Sequence, residues 1–169
     1  MRASIIIPTL GTRPDYLTDA LDTVKKQNFP NDEYEILVID NNPKSDVLSI
    51  VDKANKVIAK GPLAQHIKEP NIGLHRARHT GAYNARGDIV IYIGDDVLLN
   101  PDWLSAILEP FRDPQVGCSG GKLIAKWEAP IPEWFSQLRH MALGMLDLGE
   151  KTLVLKGAHV WGDNMAVRK

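Results

Sequence analysis

Thr9, Asp40, Asp95 and Asp96 each follow a short apolar run: SIIIP before Thr9, EILVI before Asp40, and DIVIYIG before the Asp95–Asp96 pair. Carboxylates collected at one crevice repel a phosphate ligand. A divalent cation reverses that sign, because hard oxygen ligands hold magnesium or manganese while substrate phosphates complete the shell. The other reading of Asp95–Asp96 taken alone is turn chemistry after a strand, which aspartate favours. The first run continues as Pro-Thr-Leu-Gly-Thr-Arg-Pro, which is neither a dinucleotide fingerprint nor a phosphate-binding P-loop. His75 and His79 have the spacing of a metal pair but no Glu between them and no third ligand in view, so they read as solvated helix residues.

The elements that must position these groups alternate short apolar runs with helical periodicity, the pattern of an α/β protein with a mostly parallel sheet. Strands are predicted at Ser4–Ile7, Glu35–Ile39, Gln65–Lys68, Asp88–Ile93 and Val116–Ile124. Short further strands are predicted at Thr152–Leu155 and Ala158–Val160. A first helix is expected behind a Thr12 N-cap and Asp15, with Leu17, Ala20, Leu21 and Val24 inward. Others are expected over Ser45–Ala54, over Leu74–Ala85 with Gly87 as its stop, and after an Asn100 cap with Pro101 in first position. A short helix is expected near Trp134–His140. In such a sheet, ligands bind beyond the carboxyl ends of the strands, where strand order reverses.

The totals agree with one domain. The chain has 169 residues, 44% hydrophobic and 24% charged, with a net charge of −1. That balance lacks the basic footprint of a nucleic-acid partner. The single cysteine, Cys118, suits a reducing cytoplasm and reads as an inert buried thiol in a strand of small residues. No stretch approaches the 18 or so apolar residues of a membrane span. Trp103 reads as an anchor for its helix, while Trp127, Trp134, Phe135 and Trp161 read as either core aromatics or a stacking surface for a sugar.

The segments SIIIPTLGTRPDYLTDAL, EILVIDNNPKSD, EPNIGLHRARHTGAYNARGDIVIYIGDDVLLNPDWL and GDNMAVRK, in that order, resemble glycosyltransferase family 2 over nearly the whole chain. The resemblance implies a GT-A fold (the Rossmann-like nucleotide-diphospho-sugar transferase architecture). Residues 1–100 would be its nucleotide-binding half and 101–169 the start of its acceptor-side half. It implies inverting, metal-dependent transfer of a sugar from a nucleoside-diphosphate donor, a UDP-sugar by expectation, to a hydroxyl of a carbohydrate or lipid-linked acceptor. Cell-wall or polysaccharide synthesis is the expected setting, in the cytoplasm or peripherally at the inner face of the membrane.

By the same resemblance, Pro8 and Thr9 would lie against the nucleotide, Asp40 on the base, Arg78 beside base or phosphates, and Asp95 on the ribose. Asp96 would take the Mg2+ or Mn2+ ion. Trp161, Asp163 and Asn164 would face the donor or acceptor sugar. Gly94 replaces the first Asp of the usual D-x-D motif, and His79 stands where the family often has Asn. The family's catalytic Asp belongs to a Glu-Asp motif downstream of the Gly-x-Asn segment. The base is therefore expected beyond Lys169, in a chain expected to be cut short at its C-terminus, which would bind donor but transfer sugar poorly. Two other readings stand beside this one. Gly11-Thr12-Arg13 matches a tripeptide of sugar nucleotidyltransferases, although no Gly-rich stretch precedes it to cradle a triphosphate. A non-catalytic nucleotide-binding module would also fit the missing base.

Overall fold

The computed structural model describes residues 2–58, 60–131, 144–155 and 160–169. The chain runs through β1 (Ala3–Thr9), α1 (Pro14–Lys25), β2 (Tyr34–Asp40), α2 (Val47–Val57), β3 (Ala64–Lys68), α3 (Leu74–Asn84), β4 (Ile89–Ile93), α4 (Trp103–Leu108), β5 (Cys118–Gly120) and β6 (Asn164–Arg168). Among the described residues, the strands form one six-stranded sheet in the order β3-β2-β1-β4-β6-β5. β1 to β4 are mutually parallel, while β6 runs antiparallel to β4 and β5.

Alternation along the strands divides the core between two faces. Ile5, Ile7, Ile36, Val38, Ile89 and Ile91 point to the face covered by α1, α2 and α4, where Leu17, Leu21, Val51, Leu104 and Ile107 meet them. Ile6, Leu37, Ile39 and Val90 point to the other face and pack on Ala77 and Ala85 of α3 and its end. Gly81 lets α3 lie close to β1, since a β-carbon there would run into the Ile6 side chain. The inward set predicted for α1, namely Leu17, Ala20, Leu21 and Val24, is buried as expected.

Several boundaries differ from expectation, each for a tertiary reason. α1 has no side-chain cap from Thr12; it begins at Pro14 with Arg13 in the capping position. α2 starts at Val47 rather than Ser45 because the Ser45 hydroxyl donates to Asp40 instead. α4 starts at Trp103 and not at Pro101, because the carbonyls that would open it are already used. Gln27 Nε2 donates to the Asn100 carbonyl, and the Asn28 amide to that of Pro101. Gln27 Oε1 then accepts the Leu104 amide at 2.9 Å, a cap supplied by a distant part of the chain.

Gly87 is not a left-handed stop: α3 ends at Asn84, Ala85 is extended, and Gly87 is instead pressed against the start of β1. The predicted Val116–Ile124 strand shrinks to Cys118–Gly120, the stretch that finds partners on β6. Within it Ser119 faces inward, so Cys118 is exposed rather than buried. Thr152–Leu155 is exposed and forms no strand. The segment Asn164–Arg168, assigned no element from sequence, joins the main sheet as β6. The expected helix near Trp134–His140, with Trp134 and Phe135, lies outside the described residues, as does most of the Ala158–Val160 strand.

Candidate functional site

Strand order reverses between β1 and β4, and the carboxyl ends of these strands meet there. β1 and β4 pair with Ile6 opposite Tyr92, and the same register carried onward sets Thr9 beside Asp95. Thr9 Oγ1 donates to Asp95 Oδ2 at 2.5 Å and accepts the Gly11 amide at 3.0 Å. A cleft of about 250 Å3 opens at this point, lined by Pro8, Thr9, Leu10, Thr12, Arg13, Asn41, Ile72, Gly73, Leu74 and Asp95. Arg13 Nη2 lies 2.8 Å from Asp96 Oδ2 and 3.6 Å from Asp95 Oδ1.

The cleft walls are tied to one another. The Asn41 amide donates to the Thr9 carbonyl, and Asn42 Nδ2 to that of Leu10. Asn41 Nδ2 donates to the carbonyls of Glu69 and Asn71, and its Oδ1 accepts the Gly73 amide at 2.7 Å. One buried asparagine thus joins the loops after β1, β2 and β3, and a cleft assembled before ligand arrives loses less freedom on binding. Neither Asn41 nor Arg13 was singled out as a site residue from sequence. An apolar pair around Gly73, Ile72 in the loop and Leu74 at the start of α3, was the available sign that this turn shapes a ligand surface.

Asp40 sits behind the cleft rather than in it. It is 1% exposed. Its Oδ1 accepts the Ser45 hydroxyl at 2.5 Å and the Asn42 amide at 3.2 Å, while Oδ2 faces His66 Nε2 at 3.1 Å. Burial pushes this carboxyl up, but the hydrogen bonds from Ser45, His66 and Asn42 together draw it below its ordinary value.

The remaining predicted residues form a second group where β4 meets β6. Arg78 reaches from α3 over the Tyr92 ring, 5.8 Å to its centroid, donates to the Gly162 carbonyl at 2.9 Å and pairs with Asp163 at 3.5 Å. Its Nε is buried without a partner among the described residues. Trp161 contributes its carbonyl to the Asn164 amide at 3.0 Å. Asn164 is 5% exposed; its Oδ1 accepts Trp103 Nε1 at 2.9 Å and its Nδ2 donates to the Lys122 carbonyl at 3.1 Å. Both ends of that side chain are used within the protein. Asn164→Ala should therefore destabilise the fold by about 2 kcal/mol, as expected for orphaned buried partners. Denaturant unfolding checks this; weaker ligand binding with an unchanged midpoint would mean that the side chain serves a ligand instead.

The two groups meet at Gly94. A β-carbon there would lie 2.9 Å from Asp96 Oδ1 and 3.6 Å from Asp163 Oδ1, so the two carboxylates flank one point at the end of β4. Among the described residues no three His, Cys, Asp or Glu side chains gather to cage a metal ion. Exposed carboxylates of this kind suit magnesium or manganese held by one or two protein oxygens, with substrate phosphates and water completing the shell. The donor set fits such an ion. His75 and His79 are exposed and belong to no such cluster.

Residues 4–169 match the family model described as glycosyl transferase family 2. The glucosyl-dolichyl phosphate glucuronosyltransferase of Haloferax volcanii is 23% identical over 171 residues, covering 100% of this chain and 53% of that protein. Among solved structures, the mannosyltransferase PcManGT from Pyrobaculum calidifontis in complex with GDP-Man and Mn2+ superposes with a TM-score of 0.65. It is 24% identical and covers 74% of this chain and 36% of its own. TarS 1–349 of Staphylococcus aureus in complex with UDP gives 0.64 at 22% identity, covering 79% of this chain and 38% of its own. At these identities the superpositions establish the GT-A fold. This chain spans about half the length of the first of these relatives, 53% of it.

Proposed function

We propose, on the premise that the chain belongs to glycosyl transferase family 2, that its cleft binds the nucleoside diphosphate of a sugar donor for inverting, metal-dependent transfer to an acceptor hydroxyl. The observation that carries the reading is the meeting of Thr9, Arg13, Asp95 and Asp96 at the point where strand order reverses. Ligands of open α/β sheets bind at that point. Relatives solved with GDP-Man and Mn2+ and with UDP lend it support.

In this reading residues 1–100 form the nucleotide-binding half and 101–169 begin the acceptor side. Pro8, Thr9, Leu10, Ile72 and Leu74 bound the space for base and ribose. Asp95, held by Thr9, is oriented toward the ribose hydroxyls. Asp96, with Asp163 beside it, would hold the divalent ion, which when bound supplies charge stabilisation for the departing diphosphate. Arg78 braces the loop before β6, keeping Asp163 near Asp96. Asp40 acts from behind the cleft, ordering the loop after β2. We assign no residue of this chain as the base that takes the acceptor proton. Asp147 and Glu150 are both paired with Lys122, and Asp163 with Arg78. The acceptor is a carbohydrate or a lipid-linked molecule, reached in the cytoplasm or at the inner membrane face. No helix among the described residues is long and apolar enough to cross a membrane.

Calorimetric titration with UDP in manganese, repeated in EDTA and on Asp96→Ala, tests the proposal. Binding should need the metal and weaken at least roughly tenfold in the variant, the scale of a lost charge-assisted contact. GDP, CDP and dTDP titrated alongside identify the base. Absence of binding by all four nucleotides with manganese present would sink the reading.

A further inference from the structure

Among the described residues lining the cleft, Arg13 is the only lysine or arginine. We infer that Arg13 is a binding residue with two positions: it neutralises Asp96 while no metal is bound there, and it turns to the donor diphosphate once a divalent ion takes Asp96. The inference rests on the reading of this cleft as a nucleoside-diphosphate site and deepens it.

Asp95 and Asp96 are adjacent like charges, and the guanidinium lies 3.6 Å from one and 2.8 Å from the other. The two aspartates are not held alike. Asp95 is fixed by the Thr9 hydroxyl at 2.5 Å and its side chain is 19% exposed, whereas that of Asp96 is 43% exposed. The guanidinium holds Asp96 Oδ2 while Oδ1 lies on the Asp163 side, so an ion on that carboxylate and Arg13 draw on the same negative charge. Two cations so close also repel each other.

Arg13 is free to leave. Its side chain is 49% exposed, and it rests on the Tyr16 ring, 4.9 Å from the centroid, which offers a surface along which it can swing without losing all contact. A diphosphate brings negative charge into a cleft whose other described lining groups are neutral apart from Asp95. A planar guanidinium is well suited to receive it, because its parallel N–H donors match phosphate oxygens. The same side chain therefore opposes the metal when it comes alone and assists the donor when it comes with the metal.

Arg13→Gln should move the two affinities in opposite directions. Titrated with MnCl2 alone and followed by manganese EPR, the variant should bind the ion roughly two- to fivefold more tightly than wild type, the scale of a partly exposed ion pair. Titrated with UDP at saturating manganese, it should bind roughly tenfold more weakly, as expected for a lost charge-assisted contact. Arg13→Lys, which keeps the charge but not the fork, should retain the wild-type manganese affinity and recover only part of the UDP affinity. A wild type that binds manganese and UDP, with a Gln variant that shifts both affinities the same way or neither, overturns the role of Arg13 alone. Failure of the wild type to bind either ligand overturns the donor-site reading together with this one.

Discussion

Asp40→Ala is expected to lower the thermal midpoint by roughly 6–12 °C, a loss of about 3 kcal/mol in a chain of this size. The carboxylate is 1% exposed, and its removal takes this acceptor from the Asn42 amide and the His66 ring and leaves the Ser45 hydroxyl only the Asn42 carbonyl. Those partners order the loop behind the cleft, so weaker nucleotide binding should follow as a consequence of disorder. Asp40→Asn separates the two effects, because its amide oxygen still accepts from Ser45 while the charge is gone. An Asn variant that binds nucleotide like wild type would place Asp40 in support of the cleft. One that folds normally but loses a single base from the UDP, GDP, CDP and dTDP panel would instead return Asp40 to reading the base.

The same pair of proteins isolates a pH dependence. The folded pKa of Asp40 lies below its ordinary 3.8. Its contribution to stability is therefore present above the unfolded value and is lost as pH falls through the folded one. Glu35 behaves in the same direction. Burial raises its carboxyl, while hydrogen bonds from Ser4 and Arg86 bring it below its ordinary 4.5. Subtracting the acid unfolding profile of Asp40→Asn from that of wild type removes the Glu35 component. The difference should be flat near neutrality and fall below about pH 4; a difference that stays flat into the acid range would show that the Asp40 carboxylate is not held in its charged form.

Gly87→Ala should be comparably severe for a different reason. The added methyl would sit 2.7 Å from the Ala3 carbonyl carbon, 2.7 Å from the Ser4 amide nitrogen and 2.8 Å from the Arg2 carbonyl oxygen, all backbone atoms of an interior strand and its approach. No side chain can rotate away to relieve that contact. The Gly87 amide also donates to Ser4 Oγ at 2.8 Å, and Ser4 Oγ in turn donates to the buried Glu35 carboxylate at 2.6 Å, so displacement would disturb a hydrogen-bonded chain. Overpacking against a rigid neighbour costs about 1–3 kcal/mol, and the broken chain adds to it. Denaturant unfolding should show a midpoint shift of about 3 kcal/mol or more, or no soluble protein. An alanine variant as stable as wild type would mean that β1 yields at its first residues.

The parts of this molecule legible in one dimension were those governed by neighbours in sequence. Unbroken apolar runs marked β1, β2 and β4 because strands covered on both faces need apolar residues at every position. Helical spacing marked the inward set of α1 because that face is a property of the helix alone. The polar residues at the ends of those strands followed directly, and with them Thr9 and Asp95 at the point where strand order reverses. The family resemblance, carried by motifs spread over the chain, is confirmed by the match over residues 4–169.

What tertiary structure alone decided is which polar groups are free. Asp40 and Asp96 look alike in sequence, each an aspartate after a strand. His66, 26 positions away, helps to consume the first, whereas Arg13, 83 positions away, lies beside the second and leaves it accessible. Asn164 was placed near a sugar by its motif, but Trp103 and Lys122 occupy both ends of its side chain. α4 starts late because Gln27 supplies its cap from another part of the chain. β6 exists because β4 has an open edge to offer it, not because Asn-Met-Ala-Val-Arg announces a strand. Burial makes each polar atom seek a partner, and the chain folds to bring partners from any distance. Local pattern therefore locates the chemistry, while long-range hydrogen bonding determines which of those side chains remain available to a ligand.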